Sequence, residues 1–474
     1  MKKIICRVSK SLKIRIQDKM KEFVVTVLGT LVLVCFVAQW IASRTKSHMV
    51  ASLNPEFKKF QRIFFAPYLL ALFSDWLQGP YVYRLYSQYG YAPKEIALLY
   101  IVGFAASSTV GTFTGPLADM FGRRRLCLAF CFIYTFCCLT KMSPNFWWLF
   151  TGRLFGGVAT SILFSTFEAW YVCEHTERNV FPADWISSTF SISTFWNGIL
   201  AILSGVVADF GADWLNFGPV APFMTAIPFL IASAILISLT WPENHGSRQF
   251  GLGRSFVEGL RTIFNDSAIF LLGLVQSMFE SIMYIFVFLW TPILDSAQST
   301  DAWPLGLVFS CFMVCIMIGS SMNTLLLNRN IRPSTILLMS VACSAISMIT
   351  CAWSTNMQHR LPVISFLAFL LLEISVGMYF PAIGYLRSQV IPESQRASIN
   401  NVFRVPLNVI TCTVLYCLHK NDDSGGNHAS GGDQNAFLFN VVLSLVGFVA
   451  AMAFSKRYEE KSKTSTDEKN EPLI

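Results

Sequence analysis

The chain has 474 residues, of which 54% are apolar and only 14% charged, with a formal net charge of +8. Soluble domains carry about a quarter charged residues, and a soluble chain of this length divides at polar linkers, which are missing here. That argues against a soluble enzyme. It also argues against a nucleic-acid binder, whose basic charge clusters on one soluble face, and it points to lipid as the solvent.

A helix needs roughly 20 apolar residues to cross a bilayer. Thirteen apolar runs follow one another: 23–42, 64–85, 96–118, 126–140, 146–171, 186–208, 219–241, 267–293, 304–326, 333–352, 363–386, 397–417 and 436–454. Short polar loops join most of them. Residues 242–266 form a longer central loop. Residues 418–435 are rich in Gly, Asp, Asn and His and read as a flexible loop, and the charged tail 455–474 reads as disordered. Nearly all of the 13 cysteines fall inside apolar runs. Cys127/Cys131 and Cys311/Cys315 have helical spacing, but no His or carboxylate completes a zinc set. They read as buried free thiols, and no metal is expected.

Lys and Arg in short loops mark the cytoplasmic side. With loop 119–125 inside and the runs alternating from there, the inside segments hold 21 Lys and Arg. The outside loops hold only Lys94, Lys141, Arg360 and Lys420. One segment disobeys: residues 1–22 carry eight basic residues yet fall outside. Either the native start is Met20, or run 23–42 does not span as drawn. The favoured reading is an extra N-terminal helix before a twelve-helix core. A cleaved signal peptide fits less well, because no small-residue cleavage site precedes a polar mature start.

Beyond residue 62 the runs divide into six (63–241), the central cytoplasmic loop (242–266) and six more (267–454), which suggests an internal repeat. Both halves place an acid in their first helix, Asp75 and Glu280. Arg153 with Gly157 matches Glu373 with Gly377, and Asp184, Ser187 and Asn197 lie over Gln395, Ser398 and Asn408 without gaps.

GPLADMFGRRRL (115–126), between the second and third core runs, resembles the signature of the major facilitator superfamily, and TGRLFGGVAT (151–160) resembles its Arg-x-x-x-Gly pattern. More narrowly, SDWLQGPYVYRLY (74–86), LFSTFEAWYVCEHTER (163–178), GPVAPFMTAIP (218–228), FVFLWTPILD (286–295) and YFPAIGYLRSQVIPES (379–394) resemble the molybdate-anion transporter branch, over about 63–420. The resemblance implies an all-α integral membrane protein with the twelve-helix major facilitator fold in two six-helix halves. It also implies high-affinity molybdate uptake by alternating access. In the superfamily the loop aspartate, here Asp119, latches the cytoplasmic side. A carboxylate beside a helix N-terminus gains about 0.3–1 kcal/mol, or about 2 when partly buried. Gly115 permits close approach and Gly122 a tight turn, while Arg123 and Arg124 pair with Asp119 or with carboxylates of the other half. The plainer reading of these arginines is a topology anchor.

The only cations within apolar runs are Arg84, Arg153 and Arg404, and the matching acids are Asp75, Glu168, Glu280 and Glu373. Charges in hydrocarbon normally face a cavity or a partner. A doubly charged oxyanion needs N–H and O–H donors and positive potential, which Arg supplies best. Asn401, Arg404 and Asn408 share one helix face, so they line a cavity or Arg404 pairs with an acid. Arg153 lies on the substrate path or in a structural ion pair, and Arg84 snorkels or faces an outer vestibule. Asp75 and Gln78 share a face just before Gly79-Pro80, where proline breaks the helix. With Tyr81 and Tyr83 they are candidates for substrate or proton contact. Trp170 and Tyr171 read as interface anchors. The acids balance the arginines in the empty carrier, or one of them carries a coupling proton, with Asp75, Glu168 and Glu280 the candidates.

No P-loop and no hydrolase motif is present, so neither ATP hydrolysis nor another enzymatic activity is expected, and no cofactor. The rival readings are a superfamily carrier for an organic anion or sugar, and a non-transporting sensor; a channel or an intramembrane enzyme fits less well. Tungstate and sulfate are possible further substrates. The sequon Asn265-Asp266-Ser267 falls on the inside loop, so glycosylation there would invert the topology. The family expectation is a multi-pass protein of the cell membrane.

Overall fold

The structure, a computed structural model, describes residues 2–43, 54–182, 184–245, 252–294, 303–356, 361–392, 396–420 and 429–470. Every apolar run becomes helical. In chain order the helices are α1 (Lys2–Ser43), α2 (Pro55–Gln78), α3 (Val82–Gln88), α4 (Pro93–Phe121), α5 (Arg123–Thr140), α6 (Phe146–Cys173), α7 (Asp184–Asp209), α8 (Ala221–Thr240), α9 (Leu252–Asn265), α10 (Ser267–Leu294), α11 (Leu305–Asn328), α12 (Pro333–Ser354), α13 (Pro362–Val390), α14 (Arg396–Lys420) and α15 (Ala429–Asn470).

Among the described residues, eight helices are long and apolar enough to cross a membrane: α1, α7, α8, α10, α11, α12, α13 and α15. Helices α2 and α6 fall short of that measure for a chemical reason. They carry the polar residues Asp75, Gln78, Arg153 and Glu168 that the sequence singles out. Large side chains such as Leu33, Phe36, Phe132 and Trp147 stay exposed on their helices, as suits a lipid-facing surface, because lipid tails are as apolar as these side chains.

The chain forms two compact units. Unit 1 comprises 1–33, 46–250 and 294–314, and unit 2 comprises 34–45, 251–293 and 315–474. In unit 1, α4 packs on α6 and α2 packs on α7 and α8. A Cβ on Gly157 of α6 would lie 2.3 Å from the Gly103 carbonyl oxygen of α4, so only glycine permits this crossing. In unit 2, a Cβ on Gly377 of α13 would lie 2.1 Å from the Ile316 carbonyl oxygen of α11. Gly157 and Gly377 are the residues that align in the sequence repeat, and they serve the same close approach in their two units.

Helix α2 begins with Asn54 accepting from the Glu56 and Phe57 amides, with proline at its first position. It ends at Gln78. Gly79–Tyr81 form a short 3₁₀ turn before α3, the break expected at Gly79-Pro80.

Three differences from the sequence reading have physical causes. The central loop contains an amphipathic helix, α9, whose Leu260 and Ile263 pack beside Ile399, Val402 and Phe403 of α14. Helix α15 continues to Asn470, where a disordered tail was expected. Its last charged turns are rich in helix-favouring Glu and Lys, and Arg332 pairs with Glu459 at 2.7 Å. Trp170 and Tyr171 are not interface anchors but are fully buried. Trp170 stacks on Trp241 at 3.8 Å, and the Tyr171 hydroxyl shares a 2.6 Å hydrogen bond with Thr189.

Candidate functional site

Three groups of polar side chains stand out, two in unit 1 and one in unit 2. The first lies where α4 meets α5. Gly122 adopts φ +100°, a left-handed turn that disfavours any side chain. A Cβ there would lie 2.6 Å from the Glu243 carboxyl group. Glu243 caps α5 by accepting from the Arg124 amide at 2.9 Å, and Asn244 accepts from the Arg123 amide at 3.0 Å. The arginine side chains reach backbone carbonyls, Arg123 to Ala169 at 3.0 Å and Arg124 to Ser238 at 2.7 Å. Arg125 lies 3.7 Å from Glu243. Gly115 and Asp119 lie on α4, but the surroundings of Gly115 and the side chain of Asp119 fall outside what the structure describes. Among the described residues, Glu243 is a carboxylate that receives the start of α5. A helix N-terminus offers free N–H groups and a positive dipole end, which suits that placement.

The second group surrounds α2 and α3. Asp75 is half-buried and accepts a short hydrogen bond from the Tyr134 hydroxyl. The Trp76 indole donates to Asn197 at 2.7 Å. Gln78 is buried, with its amide 3.4 Å from the Ser74 carbonyl. Tyr81 donates towards Asp213 at 2.9 Å and towards Asp209 at 3.4 Å. Arg84 pairs with Asp213 at 3.3 Å. Tyr83 is buried. Glu168 is exposed on α6. This group holds three carboxylates, Asp75, Asp209 and Asp213, with Arg84, and Lys21 also acts electrostatically on Asp209.

Arg153, the aligned position of Glu373, stands apart. Its Nε donates to the Leu99 carbonyl at 3.2 Å and its guanidinium sits 4.8 Å from the centre of the Tyr100 ring. Among the described residues it joins no ion pair.

The third group lies in unit 2. Glu280 on α10 is half-buried and accepts from the Tyr379 hydroxyl of α13 at 3.2 Å. Gln276, one turn earlier, faces Arg387 of α13 at 3.4 Å. The Tyr379 ring stacks on Phe279 at 4.0 Å, which fixes its hydroxyl. Both Arg387 and Arg404 act electrostatically on Glu280. Tyr284 shares a side-chain hydrogen bond with Arg404. Asn408 donates to the Arg404 carbonyl at 2.7 Å; the Asn401 side chain lies outside the described residues. Glu373 on α13 is buried, and among the described residues no charged group acts on it.

This third arrangement has the composition that an oxyanion requires. Two guanidinium groups face one carboxylate, leaving excess positive charge, and two tyrosines and a glutamine supply further donors. Arg404 and Glu280 were legible in the sequence. Arg387 was not, because it stands one residue past the apolar run ending at 386 and counts as a loop cation. Helix α13 carries it inward by continuing to Val390. Asp209 and Asp213 escaped notice for the same reason, lying just beyond the run that ends at 208.

Residues 23–370 match a family described as sugar transporters with twelve transmembrane spans. The chain is 39% identical over 451 residues to the molybdate-anion transporter of Takifugu rubripes, covering 90% of this chain and 93% of that one. It is 41% identical over 402 residues to the molybdate-anion transporter of Xenopus laevis, covering 84% and 87% respectively. In three dimensions it resembles the nucleoside transporter NupG, with a TM-score of 0.65, 14% identity, and coverage of 83% of this chain and 99% of that one. At that identity the likeness carries the fold alone.

Proposed function

The chain belongs to the molybdate-anion transporter family of the major facilitator superfamily, and from that membership we propose that it carries molybdate across a membrane by alternating access. It is a multi-pass membrane protein. The observation that carries the substrate reading is the pair Arg387 and Arg404 set around the single carboxylate Glu280. Each guanidinium presents a planar fork of N–H donors matched to tetrahedral oxyanions. Tyr284 orients Arg404, and Gln276 orients Arg387.

Charge counting favours proton coupling at the same place. With molybdate bound, two arginines and an ionised Glu280 leave one negative charge uncompensated. Protonation of Glu280 makes the balance complete, so each dianion brings a proton. In the empty carrier the ionised Glu280 instead holds the two arginines in position. Asp75, hydrogen-bonded to Tyr134, and the buried Glu373 are further places for a proton. Tungstate and sulfate, which share the shape and charge of molybdate, are expected to compete. The carrier acts by binding and release, with no covalent step, and works at the cell membrane.

The test is flux of labelled molybdate into vesicles holding the purified protein. Saturable uptake that tungstate inhibits supports a carrier. Binding of molybdate without flux would instead identify a sensor with a carrier fold.

A further inference from the structure

Unit 1 holds a second basic cluster, far along α5 from Arg123–Arg125 and free of the carboxylates that neutralise Arg84. Lys141 stands at the other end of α5, in the turn before α6. It is only 3% exposed, and its ammonium has no hydrogen-bond partner. The ammonium lies 5.3 Å from the centre of the Tyr86 ring. The Tyr86 hydroxyl is also buried without a partner. Arg153 acts electrostatically on both. Among the described residues no carboxylate acts on Lys141 or on Tyr86; the other groups that do are the thiols Cys137 and Cys138 on Lys141, and Cys137 on Tyr86.

Several features hold this arrangement in place. The Tyr89 hydroxyl donates to the Lys141 carbonyl and the Tyr91 hydroxyl to the Pro144 carbonyl, which clamp the turn. A Cβ on Gly152 would lie 2.0 Å from the Thr140 hydroxyl and 3.3 Å from the Lys141 ammonium, so glycine at this position leaves room for the end of α5 to pack against α6.

A buried charge is normally paired or hydrogen-bonded. Two neighbouring cations that share no acid among the described residues are the reverse of that rule, and two buried polar atoms without hydrogen-bond partners on adjacent side chains mark a missing partner. We propose that Lys141, Arg153 and Tyr86 form a second anion site, which takes a tetrahedral oxyanion and is separate from the Arg387 and Arg404 pair. The ammonium and guanidinium supply charge and the phenol a third donor. Burial and the neighbouring Arg153 push the Lys141 pKa down to about 7. An anion restores the proton, so the site binds best when Lys141 is charged. Affinity therefore falls as pH rises through 7, by about tenfold between pH 6 and pH 8. The groups facing Lys141 that bear on this titration are Arg153 from α6, Tyr86 from α3, and Cys137 and Cys138 from α5.

The experiment is equilibrium dialysis of the purified full chain against labelled molybdate at pH 6. The wild type is expected to bind two equivalents, and Lys141→Met and Arg404→Ala one each. Lys141→Arg, which keeps the charge, is expected to retain both. As a check on folding, molybdate should raise the melting temperature of Arg404→Ala but not that of Arg404→Ala combined with Lys141→Met. A single equivalent in the wild type, or Lys141→Met binding as the wild type does, overturns the proposal. Stoichiometry lowered by Lys141→Met but not by Arg404→Ala supports this site and overturns the reading of Arg404.

Discussion

Replacing Glu243 with alanine removes the group that receives the start of α5. The 2.9 Å bond to the Arg124 amide is a hydrogen bond to a charged acceptor, worth about 1.5–3 kcal/mol. The helix dipole overlaps with that figure and adds little that is separate. The Arg125 pair contributes almost nothing, because it is 3.7 Å long and the arginine is 75% exposed. Glu243→Ala should therefore cost about 2 kcal/mol. For a chain of 474 residues that lowers the melting temperature of the detergent-purified protein by roughly 2 °C. Glu243→Gln keeps a neutral acceptor and should lose about half as much, while Arg125→Ala should stay within about 0.5 kcal/mol of the wild type. Thermal unfolding of the three variants decides the matter. If Arg125→Ala costs as much as Glu243→Ala, the surface ion pair and not the helix cap holds this corner, and the reasoning is wrong.

Other predictions concern packing and transport. Gly157→Leu must push α4 from α6, because even a Cβ would sit 2.3 Å from a carbonyl oxygen; yield of folded protein and uptake should both fall, and a well-folded variant with normal uptake would contradict the close-approach account. Asp119→Ala should impair transport while leaving expression largely intact, and unchanged uptake would remove Asp119 from any latch. Glu280→Gln should make uptake indifferent to external pH and to a protonophore, whereas a variant with the wild-type pH profile would move the coupling proton elsewhere.

Much of this was legible in the sequence because hydrocarbon is an unforgiving solvent. Each apolar run had to become a helix, so the elements and the repeat could be read directly. Arg404 and Glu280 stood out because a charge within an apolar run needs a reason. Arg387, Asp209, Asp213 and Glu243 did not stand out. Each sits a few residues beyond a run, where hydropathy ends but the helix or its cap continues. Partners were the least legible feature. Nothing in the sequence distinguishes Arg84, which meets Asp213, from Arg153, which meets no acid among the described residues. Lys141 looked like an ordinary loop lysine, and only the fold shows it turned inward. The aromatic pair Trp170 and Tyr171 has the composition of an interface anchor, and packing against Trp241 and Thr189 overrides it.

The central claim is that the arginine pair of unit 2 binds the transported dianion. Initial-rate uptake of labelled molybdate into cells tests it most directly, comparing the wild type with Arg404→Ala and Arg387→Ala at equal surface abundance. The account predicts saturable uptake in the wild type, inhibited by tungstate, and loss of that uptake in both variants. Uptake in the two variants equal to that of the wild type would contradict it.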